Sequence, residues 1–323
     1  MIKTTIMQAL KNTRLAKTVL VGSILSGTNK YIGACNLNGL VYFAPWNGAN
    51  QILEYNIATG ISRNIGSVYT GAKKWVGCTP HSDGNIYFGM GEATQCLKYN
   101  PTTETTTLIG NTTYTGGDKF AGIVESLVNN KLYLTPFFSN QVLELDPVTG
   151  NTRLVGTTYA GSVYKWNGNG VTDGNWIYFC PNGYNQIMRY NVVTELNELV
   201  GSTYGTITND FKWGRWTKLG RKLYASNQNR TEILSFDLDT QISSLIGSGL
   251  PSGSLGIESY KNNLYLIPHS NNRVYQFDIL KNKGQFVGNT YNLTTERFIG
   301  STRVGTDIFC TPFFYNQILN IKI

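Results

Sequence analysis

Short apolar runs, cut apart by Gly, Pro, Asn and Thr, recur along this chain from about residue 18 to its end. Within a run the side chains alternate: Ile52, Glu54 and Asn56 share one side, and Leu53, Tyr55 and Ile57 share the other, the period of an extended strand. The runs themselves repeat. VYFAPWNGANQIL at 41–53 returns as LYLTPFFSNQVL at 132–143, IYFCPNGYNQIM at 177–188 and IFCTPFFYNQIL at 308–319, with looser copies around Tyr87, Tyr224 and Tyr265. Anchored on Tyr42, Tyr87, Tyr133, Tyr178, Tyr224, Tyr265 and Phe309, the steps by subtraction are 45, 46, 45, 46, 41 and 44 residues. A period of that size holding several strand-like runs predicts propeller blades rather than a helical solenoid.

Each unit reads as four strands. Around Tyr178 the first is KWNGNGV (165–171), a turn at 172–175 leads to WIYFC, an Asn/Gly loop leads to NQIMRYNV, and ELNELVG is the fourth. Tight turns such as Ala58-Thr59-Gly60 and Asp146-Pro147-Val148-Thr149-Gly150 join the third and fourth strands, because Pro presets φ and Asn, Asp and Gly tolerate left-handed backbone. The last unit stops at Ile323 after its third strand, while Thr18-Val19-Leu20-Val21-Gly22 matches fourth-strand endings such as Leu154-Val155-Gly156. The expected fold is therefore all-β: a seven-bladed propeller of four-stranded antiparallel blades, closed by residues 18–22 beside residues 317–323, so that no raw edge remains. Residues 1–17 are expected to be a basic arm outside the propeller of residues 18–323. Ile2, Ile6 and Leu10 there are expected to form one apolar helical stripe, with Lys3, Lys11 and Arg14 nearby.

The run IYFCPNGYNQIM followed by a turn and LVG resembles propeller repeats with an "IYxxPxxxNQIL" core, found in microbial and bacteriophage proteins. The resemblance covers nearly the whole chain. The paired glycines of Kelch repeats and the Trp-Asp ending of WD40 repeats are absent. The likeness implies a virion-associated propeller, and the Asn-, Thr-, Gly- and Tyr-rich composition resembles that of phage tail and capsid accessory proteins.

Charged residues, at 14%, lie well below the roughly 25% of ordinary soluble domains, so the surface must be finished by neutral polar groups. The net charge of +8 favours anionic partners in a general way. Cys35, Cys78, Cys96, Cys180 and Cys310 follow no paired spacing and read as buried free thiols. No apolar run is long enough to span a membrane, and the amino terminus lacks the continuous apolar stretch of a signal peptide. A location in the virion, or in the host cytoplasm during assembly, is expected.

Two candidate surfaces emerge. A cation followed by an aromatic opens six of the seven first strands: Lys30-Tyr31, Lys74-Trp75, Lys119-Phe120, Lys165-Trp166, Lys212-Trp213 and Arg297-Phe298, with Ser254-Leu255 in the remaining unit. First strands line the channel of a propeller, so these cations are expected to ring one mouth. They either bind anions there or lay their stems over apolar surface. On the same face the loops between second and third strands carry Trp46, Phe137, Phe138, Tyr184, His269, Phe313, Phe314 and Tyr315, and the loops before the first strands carry Tyr69, Tyr114, Tyr159, Tyr204 and Tyr291. Aromatic side chains beside Asn and Thr suit sugars or protein surfaces, and also suit packing against the next blade.

Catalytic signatures are sparse. His81 and His269 lie in separate units without zinc-ligand spacing, and no nucleophile elbow, phosphate loop or dinucleotide fingerprint is present. Glu54 and Glu144 recur in third strands, where pairing with a neighbouring blade is the plainer role, and Asp146, Asp237 and Asp278 read as turn caps. The expectation is a non-catalytic binding or structural propeller of a phage virion, without metal or cofactor, docking on other virion or surface proteins or attaching to host glycans, and without sequence-specific nucleic-acid binding. A lectin-like propeller is the first alternative. The second is a lyase or hydrolase with its site at the channel mouth.

Overall fold

Turn chemistry and alternation build seven four-stranded antiparallel sheets in the computed structural model, which describes residues 15–114, 116–161, 163–292 and 296–323. The twenty-eight strands are β1 to β28 in chain order. In each blade we letter them a to d from the channel axis outward. Blade 1 is β2 (Tyr31–Leu37), β3 (Leu40–Pro45), β4 (Ile52–Asn56) and β5 (Ser62–Ile65). The a strands of the next six blades are β6 (Trp75–Pro80), β10 (Phe120–Ser126), β14 (Trp166–Asp173), β18 (Trp213–Leu219), β22 (Ser254–Tyr260) and β26 (Phe298–Val304), and each lies against the a strand before it until β26 meets β2.

Blade 7 is completed from the other end of the chain. Its strands are β26, β27 (Asp307–Pro312), β28 (Ile318–Lys322) and, outermost, β1 (Lys17–Val21), paired from Lys17 with Lys322 to Val21 with Ile318. Pairing starts one residue before the expected position and ends at Val21, one residue short of it, where Gly22, with a φ of +77°, turns the chain away. The apolar stripe at Ile2, Ile6 and Leu10 lies outside the described residues.

The repeated motif has a physical reason in each part. The Gln of "NQIL" donates from Nε2 to the carbonyl of the glycine that ends the d strand: Gln51 to Gly66 (2.7 Å), Gln95 to Gly110 (2.7 Å), Gln141 to Gly156 (2.8 Å), Gln186 to Gly201 (3.2 Å) and Gln317 to Gly22 (3.0 Å). The last residue of the c strand caps the turn to d, as when Asn56 Oδ1 accepts from the amides of Ala58 and Thr59, and Asp146 and Asp237 do the same. Alternation sorts residues between two interfaces rather than between core and water. Ile52 packs with Tyr42, Trp75 and Phe88 toward blade 2, whereas Leu53 and Tyr55 pack with Phe309 and Ile318 toward blade 7. Both sides of a blade are therefore apolar, and the five cysteines are buried thiols within these interfaces.

Arginines on the outer strands tie adjacent blades. Arg63 bridges Glu54 of its own blade (2.7 Å) and Glu104 of the next (2.6 Å), and Arg153 bridges Glu144 (2.8 Å) and Glu195 (2.5 Å) in the same way. Glu54 and Glu144 therefore pair within their own blades rather than with a neighbouring one, and it is the arginine between them and Glu104 or Glu195 that crosses to the next blade.

Candidate functional site: the loop face and its axial funnel

The b–c and d–a loops share one face, where backbone hydrogen bonds run from blade to blade. The Lys165 amide donates to Phe137 O, Asn182 N to Lys165 O, Lys212 N to Asn182 O and Gln228 N to Lys212 O, and the chain of bonds continues through Gly253, His269, Arg297 and Phe313 to Lys30. The six cations sit in this chain, one before each a strand. Their heads do not ring the mouth in solvent. Lys30, Lys74, Lys119, Lys165, Lys212 and Arg297 are all buried, and their nitrogens are turned into the loops. Lys165 Nζ donates to Gly161 O (3.0 Å) in its own d–a loop and to Phe138 O (3.1 Å) in the b–c loop of the preceding blade. Lys30 (Gly27 O and Phe314 O), Lys119 (Gly116 O and Glu92 O) and Arg297 (Tyr291 O, His269 O and Ser270 O) span the same two loops, while Lys74 reaches Gly71 O and Lys212 reaches Gly183 O.

Burial makes the charged form costly, so desolvation lowers the pKa of Lys74, Lys119, Lys165, Lys212 and Arg297, and pulls Lys30 down to about 8. The expected picture of exposed heads is thereby corrected. A loop turned back on itself leaves carbonyls without amide partners, and a lysine head fills that vacancy.

The aromatic loops divide. Tyr69, Tyr159, Tyr204 and Tyr291 stand edge-on to the a-strand aromatics Trp75, Trp166, Trp213 and Phe298, with ring centroids 5.1–5.8 Å apart. Tyr184 and Tyr315 join the same packing against Trp166 (4.7 Å) and Phe298 (5.2 Å), between the blades rather than around the channel. Trp46, Phe137 and Phe313, each following the proline that ends a b strand, instead face the axis. Trp46 and Phe137 line an axial cavity of about 210 Å³, and Phe313 packs with Trp46, Val76, Leu255 and Ile299 beside it. Phe314 abuts Phe313 (5.2 Å), and Phe138, 41% exposed, is the most open of the set, with Lys165 Nζ 5.8 Å from its ring centroid.

This cavity is a funnel along the channel, and the a strands shape it. Every a strand carries a bulge just after its first or second residue. At the third position after the cation, or its equivalent, six blades have glycine: Gly33, Gly77, Gly122, Gly168, Gly256 and Gly300. The backbones meet there so closely that a Cβ on Gly33 would lie 2.7 Å from Gly77 Cα, and one on Gly122 would lie 2.5 Å from the Gly168 carbonyl. Blade 5 breaks the series: Lys212-Trp213-Gly214-Arg215 puts an arginine at this waist. Its stem lies against Gly168, and its guanidinium reaches the far side, near Gly33 and Gly300.

Blade 4 breaks the series again, since β14 has one more residue in its bulge than β2. The extra residue, Asn169, donates from Nδ2 to Cys78 O (3.0 Å) and accepts from the Ile123 amide (3.2 Å), lacing three blades together at the axis.

Asymmetry continues up the wall. Ile32, Val76, Ala121, Leu255 and Ile299 form an apolar sleeve, with Asn167 and Arg215 as its polar members. Above it Phe137, Tyr164 and Phe211 stack in sequence, with centroids 4.6 and 5.4 Å apart. Asp118 on the rim is paired with Lys73 (3.0 Å). In blades 4, 5 and 6 the residues in register with Trp46 and Phe137 are Asn182, Gln228 and His269, which stand outside the cavity lining. His269 Nε2 is 3.6 Å from Glu296 Oε1. Desolvation and then Arg297 pull the His269 pKa down to about 4, and desolvation raises that of Glu296, so the imidazole is neutral at pH 7. Among the described residues no cluster of His, Cys, Asp and Glu has the geometry of a metal site, and no helix is long and apolar enough to cross a membrane.

Arg215 and Asn169 escaped the sequence reading, although both are visible in it. Aligning the blades on the cation-aromatic pair shows a glycine column with one arginine in it. His269 was placed there among the same loops as Trp46 and Phe137, but its approach to Glu296 was not seen.

No protein-family model matches the chain, and no curated protein is significantly similar to it in sequence. Solved structures do match. A streptogramin B lyase is 18% identical, with a TM-score of 0.77 over 95% of this chain and 98% of that one. A catalytically inactive histidine-to-alanine variant of virginiamycin B lyase from Staphylococcus aureus, with quinupristin, is 16% identical, with a TM-score of 0.76 over 95% and 99%. An auxiliary nutrient binding protein from Bacteroides thetaiotaomicron is 12% identical, with a TM-score of 0.60 over 95% and 76%. At such identities the likeness is one of fold. It nonetheless corrects the expectation of a non-enzyme, because the same seven-bladed ring carries lyases over nearly its whole length, and the virion role finds no support among these structures.

Proposed function

We propose that this propeller binds a small molecule in the axial funnel on its loop face and acts on it as a lyase. One observation carries the reading: departures from sevenfold repetition gather in the funnel. Duplication alone makes blades alike, and a reacting ligand without sevenfold symmetry needs different groups on different sides. Here Arg215 replaces a waist glycine and Asn169 adds a residue beside it, the stacked Phe137, Tyr164 and Phe211 cover the side of blades 3 to 5, and the apolar Ile32, Val76, Leu255 and Ile299 of the other blades form the rest of the wall. A lyase must take a proton from one atom and supply one to the leaving group. The neutral, buried His269 and the exposed Glu296 beside it on the loop face are the titratable pair suited to exchange it. The fold neighbours named above support the reaction class.

The test uses quinupristin as first substrate, one group of which would enter the sleeve while the rest lies over the loop face, followed by chromatography and mass spectrometry. Turnover by the parent is expected, with loss in Ala121→Trp, which fills the sleeve, and in His269→Ala. Unchanged quinupristin with the folded parent, together with no shift of funnel resonances on its addition, refutes the reading.

A further inference from the structure

Resting on the funnel as a ligand site, we infer that Arg215 is an anion anchor and that the funnel takes a small aromatic or apolar monocarboxylate, its carboxylate on the guanidinium and its body in the sleeve. The geometry is unusual for an arginine. Guanidinium groups enclosed by protein are ordinarily saturated by carboxylates or carbonyls, because an unmade bond there forfeits the solvation of a full charge. The other enclosed cations on this face follow that rule, each head donating to one or more loop carbonyls. Arg215 does not. Among the described residues no acceptor is bonded to its side chain, no carboxylate forms an ion pair with it, and its Nε is buried without a partner. Desolvation correspondingly pulls its pKa down to about 10, so it remains charged at neutral pH.

The surroundings specify the rest of the ligand. A single unneutralised cation calls for a single negative charge, since Lys73 on the rim is already held by Asp118 and Glu92. The planar fork of the guanidinium matches a carboxylate held by two parallel bonds. Above the guanidinium the wall is Ile32, Val76, Leu255 and Ile299, then the stacked rings of Phe137, Tyr164 and Phe211, which offer dispersion and ring-edge contact but little to a sugar or a polyphosphate. A volume of about 210 Å³ admits one ring with a short acid side chain. The guanidinium lies at the narrow glycine waist, beside Gly33 and Gly300, with Asn169 laced across neighbouring blades at the same level, so the charge sits at the narrow end of the funnel.

Phenylacetate is the probe, titrated into the full chain by calorimetry and followed by NMR, with phenylacetamide, acetate and inorganic phosphate as comparisons. Phenylacetate is expected to bind. Arg215→Met, which keeps the stem, is expected to weaken it by about thirtyfold or more. Phenylacetamide should bind the parent no better than phenylacetate binds the Met variant, and acetate should be much weaker for want of wall contacts. Arg215→Gly restores the residue of the other six blades and serves as the second variant should the Met variant fail to fold. Equal affinity of phenylacetate for the parent and a folded Arg215 variant overturns the inference, as does phosphate binding as tightly as phenylacetate. Loss of phenylacetate binding on Arg215→Met, in a protein that leaves quinupristin untouched, supports the anchor and removes only the lyase reading.

Discussion

Replacing Lys165 by Met separates a loop staple from an anion receptor. The side chain is fully buried, and its ammonium joins Gly161 O at 3.0 Å to Phe138 O at 3.1 Å. Met preserves most of the stem's apolar contacts but leaves both carbonyls without this donor. Hydrogen bonds to charged groups contribute about 1.5–3 kcal/mol each, so two give about 3–6 kcal/mol. Against this stands the cost of holding an ammonium out of water, which the lowered pKa records. The net expected loss is about 2–3 kcal/mol, or a fall in Tm of about 4–10 °C for a chain somewhat larger than those from which the scaling comes. Urea unfolding followed by tryptophan fluorescence measures it. The amides of Gly161 and Phe138 should also exchange faster, since their loops lose the tie. An unchanged midpoint, combined with loss of anion affinity, would refute the staple and restore the exposed-ring reading.

Three further outcomes test the architecture. Deleting residues 1–22 removes five registered pairs between β1 and β28 together with the bonds of Asn289 to Thr18, an expected loss of about 5 kcal/mol; a truncated chain that melts with the parent would break the closure argument. Gly122→Ala places a Cβ 2.5 Å from backbone atoms of blade 4 and should cost about 1–3 kcal/mol in thermal unfolding, whereas a neutral result would mean that the waist is not tight. Glu258, enclosed in the channel wall and bonded to Ser301 Oγ at 3.0 Å, has its pKa raised by burial to about 7 from an ordinary 4.5. Its contribution to stability is therefore complete below pH 4.5 and lost as pH rises through 7, a swing of up to about 3 kcal/mol. Glu258→Gln should flatten that decline and stabilise the protein at pH 8, and parallel pH profiles for the two proteins would refute the assignment.

The blades were legible because their signals are local. A 45-residue step between Tyr42 and Tyr87, alternation within a run and turn residues such as Asn56 and Asp146 depend only on backbone dihedrals and neighbours along the chain. Closure by the first strand was legible too, since a ring tolerates no unpaired edge. The six cations were found in sequence but expected in solvent, because a lysine code carries charge and not the carbonyls that will surround it. Those carbonyls come from a loop of the preceding blade, 27 residues away for Phe138 and Lys165, and 284 for Phe314 and Lys30.

The sequence by itself determined the number of blades, the strand order and the strand that closes the ring, all consequences of short-range stereochemistry and of repetition. Only the tertiary structure decided which face of each repeat meets which neighbour, that the lysine heads turn inward, and that Arg215 lies across an axis ringed by glycines. The reason is geometric. Seven similar strands brought around one axis create a space to which every blade contributes a single position, so the character of that space rests on the one or two residues that differ, and their meeting depends on ring closure.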